Sequence, residues 1–176
     1  MSFSIVRLAV RSASLSAAAV ILGSLPLPAE AQAAKKAATR GTVELAILQG
    51  ACSKLVIGKR DLSPDCTGRL LNTNYPDGRS GFYFVAKNGA ALTFSGMGSK
   101  QVKVDADTVI QPIDKIIVTS DGKTSSTDAA GECRYTNPNK GPAPVTCRAN
   151  GGTSGAFEAA FVSDGRPPEI TTINRP

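Results

Sequence analysis

Asp105, Asp107 and Asp114 are the densest carboxylates in the chain. Two carboxyl groups set about 5 to 9 Å apart can hydrolyse a glycosidic bond. The alternating aspartates of Val-Asp-Ala-Asp-Thr could instead ligate calcium, but the sixth-position Gly and closing Glu of a calcium loop are missing. Asp also favours turns, and that is the reading taken for all three. Ser120-Asp121-Gly122-Lys123 matches Ser-x-x-Lys, a pairing that requires the Ser to open a helix. Asp-Gly makes a hairpin tip there instead. Gly78-Arg79-Ser80-Gly81-Phe82 lacks the last glycine of a nucleophile elbow. The chain has no histidine, which removes the commonest general base and every His-dependent triad. The chemistry therefore points away from an enzyme, and a carboxylate hydrolase is kept as an alternative.

A binding surface is the competing use of these residues. Tyr75, Phe82, Tyr83, Phe84 and Phe94 cluster in sequence with Arg69, Arg79 and Lys87. Such a set can form an aromatic–basic face. Strand alternation puts Phe82 and Phe84 on one face and Tyr83 on the other. The candidate binding residues are accordingly Arg69, Arg79, Tyr83 and Lys87. No cofactor and no metal site are expected, because the cysteines lack Cys-x-x-Cys spacing.

The elements that must position these residues read as short strands. The segment 81–86 (GFYFVA) is the most strand-like run; Asn88-Gly89 marks a tight hairpin, and 90–95 (AALTFS) returns. Residues 43–48, 55–57, 69–73, 100–104, 109–110 and 115–119 are further strand candidates. Gln111-Pro112 separates the last two. Residues 124–131 (TSSTDAAG) are a loose strand or loop, and 169–176 an edge strand or tail. No segment shows a sustained helical period. The fold class expected is all-β, a small antiparallel sandwich or barrel of short hairpins.

Four cysteines pin it. Cys52 and Cys66 have the same separation as Cys133 and Cys147, so the pairing expected is Cys52–Cys66 and Cys133–Cys147. A staple closing about 15 residues stabilises by about 3 kcal/mol. Each staple is followed by Gly-x-Ser-Gly, aromatic residues and a turn, at Gly78–Gly81 and at Gly152–Gly155, which raises the idea of an internal repeat.

Residues 1–33 read as a signal peptide. Arg7 and Arg11 precede an apolar run at 17–25, Pro26 and Pro28 break it, and cleavage falls after Ala31 or Ala33. The run is too short for a membrane span. Residues 34–42 read as a flexible basic arm and 43–176 as one domain. Losing Arg7, Arg11 and Glu30 lowers the formal charge from +6 to +5. The expected location is periplasmic or secreted, where disulfides form. The expected partner is an anionic envelope polymer or lipid, or a periplasmic protein; nucleic acid is not expected. Only Lys35-Lys36 with Arg40, and Lys59-Arg60, cluster.

The leader, the Asn88-Gly89 hairpin running to Phe94-Ser95-Gly96, and the ending Cys133-x-Tyr135-x-Asn137-Pro138 … Cys147 … Phe161-Val162-x-Asp164-Gly165 resemble small exported proteins of Gram-negative bacteria of unassigned function. That resemblance brings no catalytic residues. The chain is also similar to periplasmic lysozyme inhibitors, which implies a disulfide-bonded barrel with a Ser-Gly inhibitory loop at Ser80-Gly81 or Ser154-Gly155. Lysozymes are basic, so a +5 partner would be mismatched. The reading is an exported, non-catalytic envelope protein, with a soluble hydrolase inhibitor as the alternative.

Overall fold

The structure, a computed structural model, describes residues 41–175. The expected leader and residues 34–40 of the basic arm lie outside the described residues. Gly41 and Thr42, read as the end of that arm, are instead paired with Arg175 and Asn174.

The strands are β1 (Gly41–Ile57), β2 (Arg60–Asp61), β3 (Cys66–Asn74), β4 (Arg79–Ala86), β5 (Ala91–Met97), β6 (Val102–Lys103), β7 (Thr108–Ser120), β8 (Lys123–Thr136), β9 (Pro144–Asn150), β10 (Ala156–Ser163) and β11 (Glu169–Arg175). Eight of them, β1-β3-β4-β5-β7-β8-β9-β10, form an antiparallel barrel that closes when β10 pairs back onto β1. β11 continues along the same edge of β1, opposite Gly41–Ile47. Both expected disulfides are present, Cys52–Cys66 between β1 and β3 and Cys133–Cys147 between β8 and β9, with Cα–Cα separations of 5.7 and 4.0 Å.

Alternation decides the two faces of the wall. Leu55, Leu70, Phe84, Leu92, Phe94, Ile116 and Phe161 are buried and fill the interior. The outside carries charge: Glu132, Arg148 and Glu158 align across β8, β9 and β10, and Lys54 on β1 pairs with Glu158. An apolar interior with a charged wall is the reverse of a membrane-spanning barrel. No helix among the described residues is long and apolar enough to cross a membrane.

Three expectations change. Residues 43–48 and 55–57 belong to one strand, β1. Residues 100–104 supply only the two-residue β6, and Val102 and Val104 are both exposed. Residues 109–119 form one strand that runs through Pro112. Pro112 falls between the stretch of β7 paired with β6 and the stretch paired with β5, so its missing N–H breaks no ladder on that side. Gly96 lets β5 close on this point, because a Cβ there would lie 1.9 Å from the Pro112 carbonyl oxygen.

The two staples join strands one and two, and six and seven, of the eight barrel strands. That offset of five strands puts the two Gly-x-Ser-Gly segments at opposite ends of the barrel. It does not correspond to a duplicated four-stranded half.

Candidate functional site

β1 and β4 run in one direction and β3 and β5 in the other. The turns at 58–65, 87–90, 121–122 and 151–155 therefore share one end, called here the upper end. The turns at 75–78, 98–107, 137–143 and 164–168 share the lower end.

The four residues singled out in the sequence do not form one site. Arg79, Tyr83 and Lys87 are spaced four apart along or just beyond β4, about 26 Å from first to last at strand rise. Arg79, at the lower end, donates to Asp114 Oδ1 at 2.7 Å and to Ser95 Oγ at 3.3 Å. Tyr83 meets Tyr75, hydroxyl to hydroxyl, at 2.9 Å on the outer wall. Lys87, in the β4–β5 turn, donates to the Pro64 carbonyl at 3.4 Å. Arg69 is exposed on β3. The wider aromatic face dissolves, because Phe82, Phe84 and Phe94 are core residues. Phe82 packs on Tyr135 with ring centroids 5.1 Å apart, and burial raises the Tyr135 phenol.

The carboxylates are engaged in structural work. Asp105 Oδ1 accepts from the Asp107 and Thr108 backbone N–H groups, both at 2.8 Å. These backbone bonds, that from Asp107 first, hold its carboxyl below the usual range. Asp107 Oδ1 has no hydrogen bond of good angle, but Lys140 Nζ lies 2.6 Å away and balances its charge. Asp114 is the single β7 residue set against two on β8, Ala129 and Ala130, where the β7–β8 register shifts between Ile113 and Lys115; bulges re-aim nearby side chains, and here that of Asp114 turns to Arg79. No group of three or more His, Cys, Asp or Glu residues that could hold a metal occurs among the described residues.

Of the two Ser-Gly pairs, Ser80 and Gly81 lie inside β4 and are buried, so they cannot form a presented loop. Ser154-Gly155 does sit in a surface turn, between β9 and β10.

The upper end carries a cleft of about 410 Å³ at the barrel mouth. Its volume falls in the ordinary range of ligand sites, and barrel mouths are a common place for them. Ile57, Ile116, Val118 and Phe157 give it an apolar floor; Ser125, Thr127 and Ser154 add hydroxyls, and Ser126 borders it with its side chain on the opposite face of β8. The topology makes the opening. β8 pairs with β9 only from Ala130 downward, whereas its residues 123–128 pair with β7 alone. The β7–β8 arm therefore overhangs the mouth. Opposite it, Gly151 closes the β9–β10 turn against Phe157 and Thr127; a Cβ there would come within 2.9 Å of the Phe157 ring.

No lining residue of this cleft is titratable. Among the described residues, Ser125, Ser126 and Ser154 hydroxyls have no hydrogen bond within the protein. The charge sits around the rim. Lys59 directly follows the lining residue Gly58, Arg60 pairs in register with the lining residue Ile57, and Lys123 stands at the β7–β8 tip. All three are exposed. Asp121 shares the tip and accepts from Ser120 Oγ at 3.0 Å. Asp61 is turned into its own loop, accepting from Ser63 Oγ at 2.6 Å and from Ser63 N at 2.9 Å.

Lys59-Arg60 was visible in the sequence as a basic pair. The hydroxyl row at 125–127 was hidden inside a stretch that reads as loop, because neither Ser nor Asp signals a strand. No protein-family model, no curated protein and no solved structure matches the chain.

Proposed function

We propose that this is an exported, non-catalytic protein of the cell envelope that binds an anionic envelope component or a protein partner at the upper mouth of its barrel. The observation that carries the reading is the cleft itself. It joins an apolar floor to free hydroxyls beneath a cationic rim, and it holds no group able to act as acid, base or metal ligand. That is equipment for binding rather than for bond cleavage. Two disulfides in a chain of this size suit an oxidising compartment.

Co-sedimentation of the oxidised protein with purified cell wall and with outer-membrane vesicles, at low and high salt, tests it. Binding at low salt that weakens at high salt is expected, because exposed charges are screened. No binding at either salt would reject the anionic component and leave only a discrete protein partner. A second reading, inhibition of a hydrolase, draws on the exposed Ser154-Gly155 turn at the same mouth. It requires saturable inhibition of one enzyme that Ser154→Tyr abolishes.

A further inference from the structure

The overhanging arm of β8 is a strand with one side unused. Lys123 to Ser126 pair with Ser120 to Ile117 on β7 and, among the described residues, with no strand on the other side. At Thr127 the β9–β10 turn closes in, since a Cβ on Gly151 would lie 3.3 Å from Thr127 Cγ2. The open edge is thus four residues long, about 13 Å. An unpaired edge offers a row of backbone N–H and C=O groups, which natural proteins usually cover or blunt. Here it borders the only side of the cleft made by β8.

A strand added to this edge would be in register with the cleft. Directly opposed residues in adjacent strands share a face. A residue set opposite Ser125 would point where Ser125 points, towards its partner Val118 and the apolar floor. The next residue would face away from the floor, towards solvent, where an acidic side chain would still feel the positive field of the exposed rim cations Lys59, Arg60 and Lys123. Edge, cleft and charge thus specify one occupant by three independent features.

We infer that the upper mouth takes an extended, carboxylate-bearing peptide segment, which adds as a strand to Lys123–Ser126 of β8 and inserts one apolar side chain into the cleft. Main-chain bonds supply affinity, the cleft selects the apolar side chain, and the rim selects the acidic neighbours. The inference rests on the mouth being the binding site proposed above, and it narrows the ligand from an anionic component in general to a peptide.

The test is a titration of the isotope-labelled oxidised protein, followed by NMR and amide exchange. The probes are a capped hexapeptide of alternating Val and Glu, its Val–Lys counterpart, and dodecyl maltoside below its micelle concentration. The Val–Glu peptide should shift the Ile57, Ile116 and Val118 methyls saturably and slow amide exchange in residues 123–126 by about tenfold or more. Lys59→Glu with Arg60→Glu should weaken it by about tenfold. Ser125→Tyr, which fills the cleft from an exposed position, should abolish it; Ser154→Tyr does the same from the opposite wall should either variant fold poorly.

Methyl shifts with the maltoside but no amide protection by peptide would overturn strand addition and leave a small-molecule cleft. Equal binding of the Val–Lys peptide would overturn the charge argument. No response to any probe would overturn the inference entirely. If envelope co-sedimentation persists in that last case, the broader binding reading survives and only the peptide is lost.

Discussion

At the lower end of the barrel, polar groups bond to one another. Gln111 is fully buried, yet its Nε2 donates to the Met97 and Pro112 carbonyls at 3.0 Å and its Oε1 accepts from Gln101 at 2.7 Å. Asp105 ties its own turn, Asp107 faces Lys140, and Asp164 holds Arg166. At the upper mouth several polar groups are left over. Ser125 and Ser154 stand above an apolar floor with no hydrogen-bond partner among the described residues, and Lys59, Arg60 and Lys123 carry no ion pair among them. The contrast separates residues that hold the barrel from residues free to meet something else. A buried polar group must be satisfied internally; an exposed one need not be, and its hydroxyl or charge stays available.

The contrast can be broken first at Gly96. Gly96→Ala would push a methyl into the Pro112 carbonyl, and a destabilisation of about 3 kcal/mol is expected from overpacking, measured by urea unfolding. Gln111→Leu should follow at about 2 kcal/mol, because it leaves buried carbonyls unpaired. A variant as stable as the parent would mean that the lower-end network contributes nothing.

Acid should act on the turns next. Asp105 and Asp164 have carboxyls held below the ordinary range, Asp105 first by the Asp107 backbone N–H and Asp164 first by the Arg166 side chain. The folded state then binds fewer protons than the unfolded chain. The stability these groups give is complete above the unfolded value of about 4 and is lost as pH falls through the lower folded values. The thermal midpoint should be flat near neutrality and drop below about pH 4. In Asp105→Asn that drop should be shallower.

Arg79→Ala should cost less, about 0.5 to 1 kcal/mol and less in high salt, since its pairing with Asp114 is partly exposed. The smallest change is expected at the mouth. Ser125→Ala and Ser154→Ala should move stability by less than about 0.5 kcal/mol. A loss comparable to that of Gln111→Leu would place the mouth among the structural elements and erase the contrast.

The sequence made the skeleton legible where local chemistry is strong. Equal cysteine spacing indicated both staples, Asn88-Gly89 indicated the β4–β5 hairpin, and alternation assigned Phe82 and Phe84 to the core against Tyr83. Pro112 misled, because whether a strand tolerates proline depends on which neighbour lies beside its nitrogen. The length of β1 was hidden because it changes partners midway, from β3 and β11 to β10. The mouth was the least legible part. Ile57, Val118, Ser125 and Phe157 come from four separate strands, and nothing local marks them as neighbours. Arg79, Tyr83 and Lys87 failed to converge for the converse reason: closeness along β4 became distance along the barrel.

The most direct test of the upper mouth as the binding end is hydrogen–deuterium exchange of the oxidised protein, alone and bound to solubilised envelope fragments. Protection gathered at residues 57–60 and 123–127, with the lower turns at 98–107 and 164–168 unchanged, is the predicted result. Protection gathered at those lower turns, or along β11, with the mouth unchanged, would contradict it.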